Sequence, residues 1–277
     1  MKQKSFTLIE LLVVIAVIGL ISSIILVSLK GTTKKARIAK TLEFSHTVNH
    51  VLGAYAVGIW SFDEGSGNAA NDGSGYGNNG TIYGASWTDD TPHKVVGAGA
   101  GKYALSFDGV DDYVEVPDNS VFNFGTGDFT IEVWAKPNAL AGDYRALVTE
   151  DLDRRDLCLI LNNGGLSAKM YLDVDYVTQL SPALSWSLGQ WYHLVATRKN
   201  GVTKMFRDGQ EVSSATNQTG SVDASSGFYI GRFRIVSWHP WNGLIDEVRI
   251  YSEALSAAEI QKHYVEGLER HKNLAIK

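Results

Sequence analysis

The sequence predicts an α+β chain, with one long apolar helix at the N terminus, then an all-β antiparallel sandwich that ends in a short helix. Three observations carry this. Phe6 to Leu29 is a largely apolar run of 24 residues, "FTLIELLVVIAVIGLISSIILVSL". From Val57 onward the composition turns to glycine, aromatics and short apolar runs separated by turn residues. Near the end, "SAAE" at Ser256–Glu259 has the spacing of a helix capping box.

Taken in order, the apolar run is about 36 Å long as a helix, more than the roughly 30 Å of a hydrocarbon core. It holds a single charge, Glu10. A carboxylate in that setting costs about 3 kcal/mol, so Glu10 calls for a positive partner. A secretory signal would place a small-residue cleavage site after the run. The following "LKGTTKKAR" has none. From Ala36 to Ala56 the pattern stays helical, with Ile38, Leu42, Val48, Leu52 and Tyr55 on one face. A flexible stalk is the alternative for that stretch.

Charge separates the two parts. Residues 1–56 hold 7 Lys+Arg and 2 Asp+Glu, a net of +5. Residues 57–277 hold 18 and 28, a net of −10. Such an acidic domain repels phosphate backbones, which argues against a nucleic-acid partner. Cys158, the single cysteine, sits in the apolar run "LCLILNN" and reads as a small buried hydrophobe. One cysteine makes no intrachain disulfide.

The strands expected are Ala104–Phe107, Tyr113–Val116, Phe129–Ala135, Leu157–Leu161, Lys169–Val174, Tyr192–Arg198, Thr203–Arg207, Phe228–Gly231 and Leu244–Tyr251. In "FTIEVWA", Phe129, Ile131 and Val133 face one way, and Thr130, Glu132 and Trp134 the other. Asp108-Gly109 and Asp208-Gly209 are expected as tight hairpin turns. Many short strands with such turns argue for an antiparallel sandwich.

The N terminus, "MKQKS" followed by "FTLIELLVVIAVIGLI", resembles the leader of type IV pilins and pseudopilins. The resemblance implies cleavage by a prepilin peptidase between Ser5 and Phe6, methylation of Phe6, and retention of the helix. It also implies that Glu10 pairs with the terminal amine of a neighbouring subunit, so that two charges costly alone in lipid offset one another. The family's glycine before the cut is Ser5 here, and its helix-bending proline is absent from "ISSIILVS". Counting charges, Lys30, Lys34, Lys35, Arg37 and Lys40 against Lys2 and Lys4 puts the C-terminal side in the cytoplasm. The family's topology puts it outside. Lys34, Lys35 and Arg37 are candidates to meet the acidic head of a neighbour.

A second resemblance covers about 200 residues of the head. "WSFDEGSGNAANDGSGYGNNGTIYGASW", "LSFDGVDDYVEVP", "GDFTIEVWAKP", "QWYHLVATR" and "WNGLIDEVRIYSEALSAAEI" resemble the laminin-G-like or concanavalin A-like jelly roll. The organisation expected is a leader (1–5), a transmembrane half-helix (6–29), an extramembrane half-helix (30–56), the jelly roll (57–262) and a tail (263–277).

The head also holds candidate site residues. Asp246 in "LIDEVRIY" shares parity with Leu244, Val248 and Ile250, so it is expected to point into the core, where a carboxylate needs a pair or a metal. In related jelly rolls the matching acid helps hold a structural calcium, which suits oxygen ligands. Asp63 is a candidate contributor. Hydrogen bonds to backbone amides or an arginine pair are the alternative. Asp111 and Asp112, with Asp151 and Asp153 in "TEDLDRRD", are candidates for an exposed calcium rim, against ordinary solvated turns with Arg154 and Arg155 neutralising the second loop. Trp238 and Trp241 in "SWHPWNG" are candidates to stack on a sugar or a partner surface, against packing beneath the loop. His193 reads as a satisfied core histidine.

Glucanases of this fold use acids at alternating strand positions. The nearest match, "YLDVDY" with Asp173 and Asp175, has no glutamate, and Glu150 in "VTEDLD" has the wrong spacing. The head is therefore expected to be non-enzymatic. The function expected is a pilin-like fibre subunit displaying a lectin-like adhesion domain, the large head favouring a minor subunit. Partners expected are prepilin peptidase, other pilin subunits, the inner membrane before assembly, and a glycan or surface protein. Calcium is the candidate cofactor. The alternatives are a pseudopilin of a secretion system and a membrane-anchored carbohydrate-binding module.

Overall fold

A computed structural model describes Leu12 and residues 55–92, 102–139, 144–150, 158–162, 169–173, 184–217, 219–222, 227–233 and 240–269. The expectations for Ser5, Phe6, Glu10 and the basic residues after the apolar run lie outside the described residues. Among the described residues no helix is long and apolar enough to cross a membrane. The chain divides into two compact units, Met1–Ala54 and Tyr55–Lys277.

The described strands of the second unit are, in order, β1 (Ala56–Trp60), β2 (Ala69–Ala70), β3 (Gly80–Tyr83), β4 (Ser86–Thr88), β5 (Ala104–Asp108), β6 (Tyr113–Val116) and β7 (Phe129–Pro137). Then come β8 (Tyr144–Thr149), β9 (Cys158–Asn162), β10 (Lys169–Asp173), β11 (Tyr192–Lys199), β12 (Val202–Arg207), β13 (Gln210–Ala215), β14 (Phe228–Ile230) and β15 (Asn242–Tyr251). Helix α1 (Ala257–Glu269) closes the unit. One sheet runs β13-β12-β11-β7-β15-β5-β4, with β1 also on β15, and the other runs β10-β9-β8-β14-β6-β3-β2. The described strand pairs are antiparallel.

The core lies between the sheets. Leu105, Phe107, Ile131, Val133, Val114, Val116, Phe228 and Ile230 meet there with Trp60, Phe62 and Phe122. Burying each such side chain stabilises the fold by roughly 1.5–3 kcal/mol. Period-two alternation sets which residues go in. In β7 the second face is buried too. Thr130 Oγ1 donates to Glu253 O (2.8 Å) and accepts from Leu255 N (2.9 Å), and the Trp134 ring stacks on Tyr264 of α1. The helix and its lead-in thus roof the outer face of this sheet.

Local chemistry explains the turns and the helix start. At Asp208 and Gly209 the φ angles are +53° and +76°, both left-handed, as a two-residue hairpin between β12 and β13 requires. Asn200-Gly201 does the same between β11 and β12. Asp108-Gly109 differs from expectation, because β5 and β6 belong to different sheets and the turn is a crossover between layers. The capping box forms as expected. Ser256 N donates to Glu259 Oε2 (2.7 Å), and Glu259 N donates to Ser256 Oγ (3.3 Å). Ile260, His263 and Gly267 make its buried face. The helix runs to Glu269, so residues 263–269 are helical where a tail was expected.

Candidate functional site

Strand β15 carries the acid singled out first. Asp246 pairs with Trp134 and Arg249 with Glu132, so Glu247 and Val248 stand opposite the single residue Val133. This is a β-bulge, and Glu247 occupies it with φ +49°. The bulge changes the parity of the strand. Ile245, Val248 and Ile250 join the core, whereas Leu244 and Asp246 lie on the outer face with Trp134 and Lys136. The expected alignment of Asp246 with Val248 and Ile250 is therefore corrected, although its burial is complete.

Asp246 Oδ1 accepts a hydrogen bond from Glu247 N (2.8 Å). Oδ2 is buried and has no hydrogen-bond partner among the described residues. Burial, reinforced by the charges of Glu247 and Asp63, pushes its pKa well above the usual carboxylate range against that one amide bond. Asp63 Oδ1 in turn accepts from Lys102 N (2.7 Å). An orphaned buried oxygen is a donor that a hard cation takes, but among the described residues Asp246, Asp63 and Glu247 do not form a group with ligand atoms within 4.8 Å of one another, and Glu247 is engaged by Arg249.

The other two acids sit elsewhere. Asp111 and Asp112 join Asp108, with ligand atoms within 4.8 Å of one another. Their oxygens serve the turn itself. Asp112 Oδ2 accepts from Asp108 N (2.8 Å), and Asp108 Oδ1 accepts from Val110 N (2.7 Å). Burial raises the Asp112 pKa, the Asp108 amide opposes it, and the charges of Asp108 and Asp111 add to the rise. Asp151, Asp153, Arg154, Arg155 and Asp175 lie outside the described residues. Asp173 lies on β10.

Of the tryptophan pair, Trp238 lies outside the described residues. Trp241 is fully buried in the core, its Nε1 donating to Leu244 O (3.2 Å). It offers no face to a sugar, which corrects that candidate. The ring fills the space where β15 begins.

A cluster that sequence reasoning did not assemble lies under α1. Glu132 of β7, 1% exposed, takes hydrogen bonds from His193 Nε2 (2.9 Å), His263 Nδ1 (2.9 Å) and Arg249 Nη1 (3.2 Å). Arg249 also pairs with Glu247. Burial alone would raise the Glu132 pKa, but the charges of His263 and Arg249 and the two imidazole bonds hold it well below the usual range. His193 is fully buried, in keeping with a core histidine. The available signal was a glutamate in the middle of "FTIEVWA", otherwise apolar or β-branched, since a buried charge implies partners. A second missed group, Tyr83, Tyr113 and Arg232, gathers on the outer face of the other sheet.

Comparison with known proteins places the two parts. The prokaryotic N-terminal methylation motif matches residues 1–26. No curated protein matches the chain. Among solved structures, domain 4 of AbnA, an extracellular arabinanase from Geobacillus stearothermophilus in complex with arabinotriose, has a TM-score of 0.58 at 22% identity, covering 76% of this chain and 98% of that one. The binding domain of Paraclostridial Mosquitocidal Protein 1 has a TM-score of 0.59 at 18% identity, covering 77% and 52%. A Trypanosoma rangeli sialidase has 0.59 at 19%, covering 79% and 34%, so the chain spans only about a third of that enzyme. At these identities the likeness is one of fold. The concanavalin A-like lectin/glucanases superfamily matches residues 107–261, more than half of the chain, and the chain belongs to that superfamily.

Proposed function

We propose that the chain is a type IV pilin-like subunit that presents a non-enzymatic, lectin-like recognition domain on a fibre outside the cell. The observation that carries this is the methylation motif at residues 1–26, with Glu10 as the single charge in its apolar run. An acid there is costly in a lone membrane helix and useful in a polymer, where a neighbour's terminal amine offsets it. On this reading prepilin peptidase cuts between Ser5 and Phe6. The subunit then waits in the cytoplasmic membrane as a single-pass protein with its head outside, and assembles with other pilin subunits.

The head supplies recognition. Superfamily membership supports a binding role, and glycan-degrading enzymes among the structural neighbours leave catalysis as the competing reading. The carboxylates do not favour catalysis. Glu132 is saturated by two histidines and an arginine beneath a helix, and Asp246 is sealed from solvent. Calcium at Asp246 and Asp63 would act structurally, tying β15 to the loop after β1.

Intact mass of the chain purified from a cell with an active prepilin peptidase tests the reading. The expected species begins at Phe6 and is heavier by one methyl group. A species beginning at Met1 overturns it and leaves a sandwich tethered by an ordinary anchor.

A further inference from the structure

The outer face of the seven-stranded sheet carries a row of stacked planar side chains. Alternation sends Ile82, Val114 and Ile230 inward, and the positions beside them outward. Tyr83 and Tyr113 are direct cross-strand partners on β3 and β6, with ring centroids 4.5 Å apart and planes within 12°. The Arg232 guanidinium lies 3.3 Å from the Tyr113 centroid and 5.9 Å from that of Tyr229 on β14. Glu115, paired with Tyr229 across the strands, accepts a hydrogen bond from its hydroxyl (2.8 Å).

Tyr83 is 42% exposed, and Tyr113 covers one face of its ring, with no other ring or cation of the described residues stacked on it. Arg232 is half-buried, yet makes no ion pair among the described residues. Its Nε is buried without a hydrogen-bond partner among them. The Arg232 guanidinium hydrogen-bonds to Tyr113 and is stabilised by the tyrosine rings, but a guanidinium has five N–H donors and that contact leaves others to be met. Glu115, on the same face, offers acceptors.

Building on the recognition role above, we propose that this face binds a neutral sugar residue, with Tyr83 as the platform and Arg232 and Glu115 as the polar contacts. The apolar C–H face of a sugar ring packs on an aromatic face. A hydroxyl both donates and accepts, so a guanidinium with N–H groups to spare and a carboxylate on the same face suit hydroxyls of a neutral ring. An acidic sugar would meet Glu115 and a domain of net charge −10. The tyrosine strands belong to the other sheet from Asp246 and the named contacts draw no ligand from it, so binding does not need calcium at Asp246.

The test titrates the full chain, in zwitterionic micelles free of sugar headgroups and containing EDTA, by calorimetry. The neutral probes are arabinotriose, cellotriose and maltotriose. The acidic probes are sialyllactose and trigalacturonic acid. The proposal expects a neutral probe to bind, and to weaken roughly tenfold in both Tyr83→Ala and Glu115→Gln, the size of a lost charge-assisted bond or ring contact. Neutral binding unchanged in both variants overturns this face as the site while leaving glycan recognition standing. Binding of acidic probes alone, or only when calcium replaces EDTA, overturns the ligand class or the site. Absence of binding to every probe overturns this proposal and glycan recognition together, and leaves the filament reading to the intact-mass result.

Discussion

His263 on α1 donates its Nδ1 hydrogen bond to Glu132 on β7 across 2.9 Å, bridging 131 positions of sequence. With His193 and Arg249 completing the shell, one carboxylate fastens the C-terminal helix to the middle of the eight-stranded sheet. Replacing it tests how much the helix depends on it. Glu132→Gln strands two imidazoles and shares Arg249 with Glu247 alone. Removing one partner of such a buried network costs about 3–5 kcal/mol. Urea unfolding followed by tryptophan fluorescence measures this in the full chain, because all seven tryptophans lie beyond residue 57.

Acid should reveal the same group. The folded Glu132 holds its proton far less tightly than the ordinary value of 4.5. Its contribution is therefore present above that value and is lost as pH falls through the lower folded value. Wild-type stability should drop steeply below about pH 4.5, whereas Glu132→Gln should show a shallower slope over the same interval. Equal slopes in a series of unfolding curves would remove the assignment.

Asp246 predicts the opposite sign. Its folded pKa is raised well above 3.8, so its contribution is fully present below that value and is lost as pH rises through the folded one. A bound divalent cation would offset the charge. Calcium at a hundredfold excess over its dissociation constant should then stabilise the head by about 2.7 kcal/mol, with the gain reversed by chelator. Asp246→Asn should abolish that gain, and Asp111→Asn should leave it intact. A calcium effect that survives Asp246→Asn points instead to the turn at Asp108.

Filament assembly should depend on Glu10 and not on the head. On the proposed reading Glu10→Ala removes the charge that a neighbour's amine would offset, so sheared-fibre yield should fall to the background of a strain lacking the chain. Head fluorescence should be unchanged. Normal fibre yield would show that the acid does not set the stagger of subunits.

What the sequence determined by itself is local. The helix cap at Ser256 and the turn at Asp208-Gly209 formed as expected, because each depends on two to four neighbouring residues. Strands β6, β7 and β11 lie where the sequence puts them, since short runs of β-branched and aromatic residues between turn residues are contiguous in the chain. The methylation motif is likewise a contiguous word. Tertiary structure alone decided the rest. A one-residue bulge at Glu247 turned Asp246 from the core face to the outer face, and no property of "LIDEVRIY" announces an inserted residue, because a bulge is defined by its partner strand. Trp241 went into the core and Tyr83 stayed on the surface although both are aromatics beside turn-forming residues. Glu132, His193, Arg249 and His263 met only because strand pairing and the roofing helix brought distant positions together. Burial then made that meeting obligatory, since a carboxylate deprived of water must find its partners inside the fold.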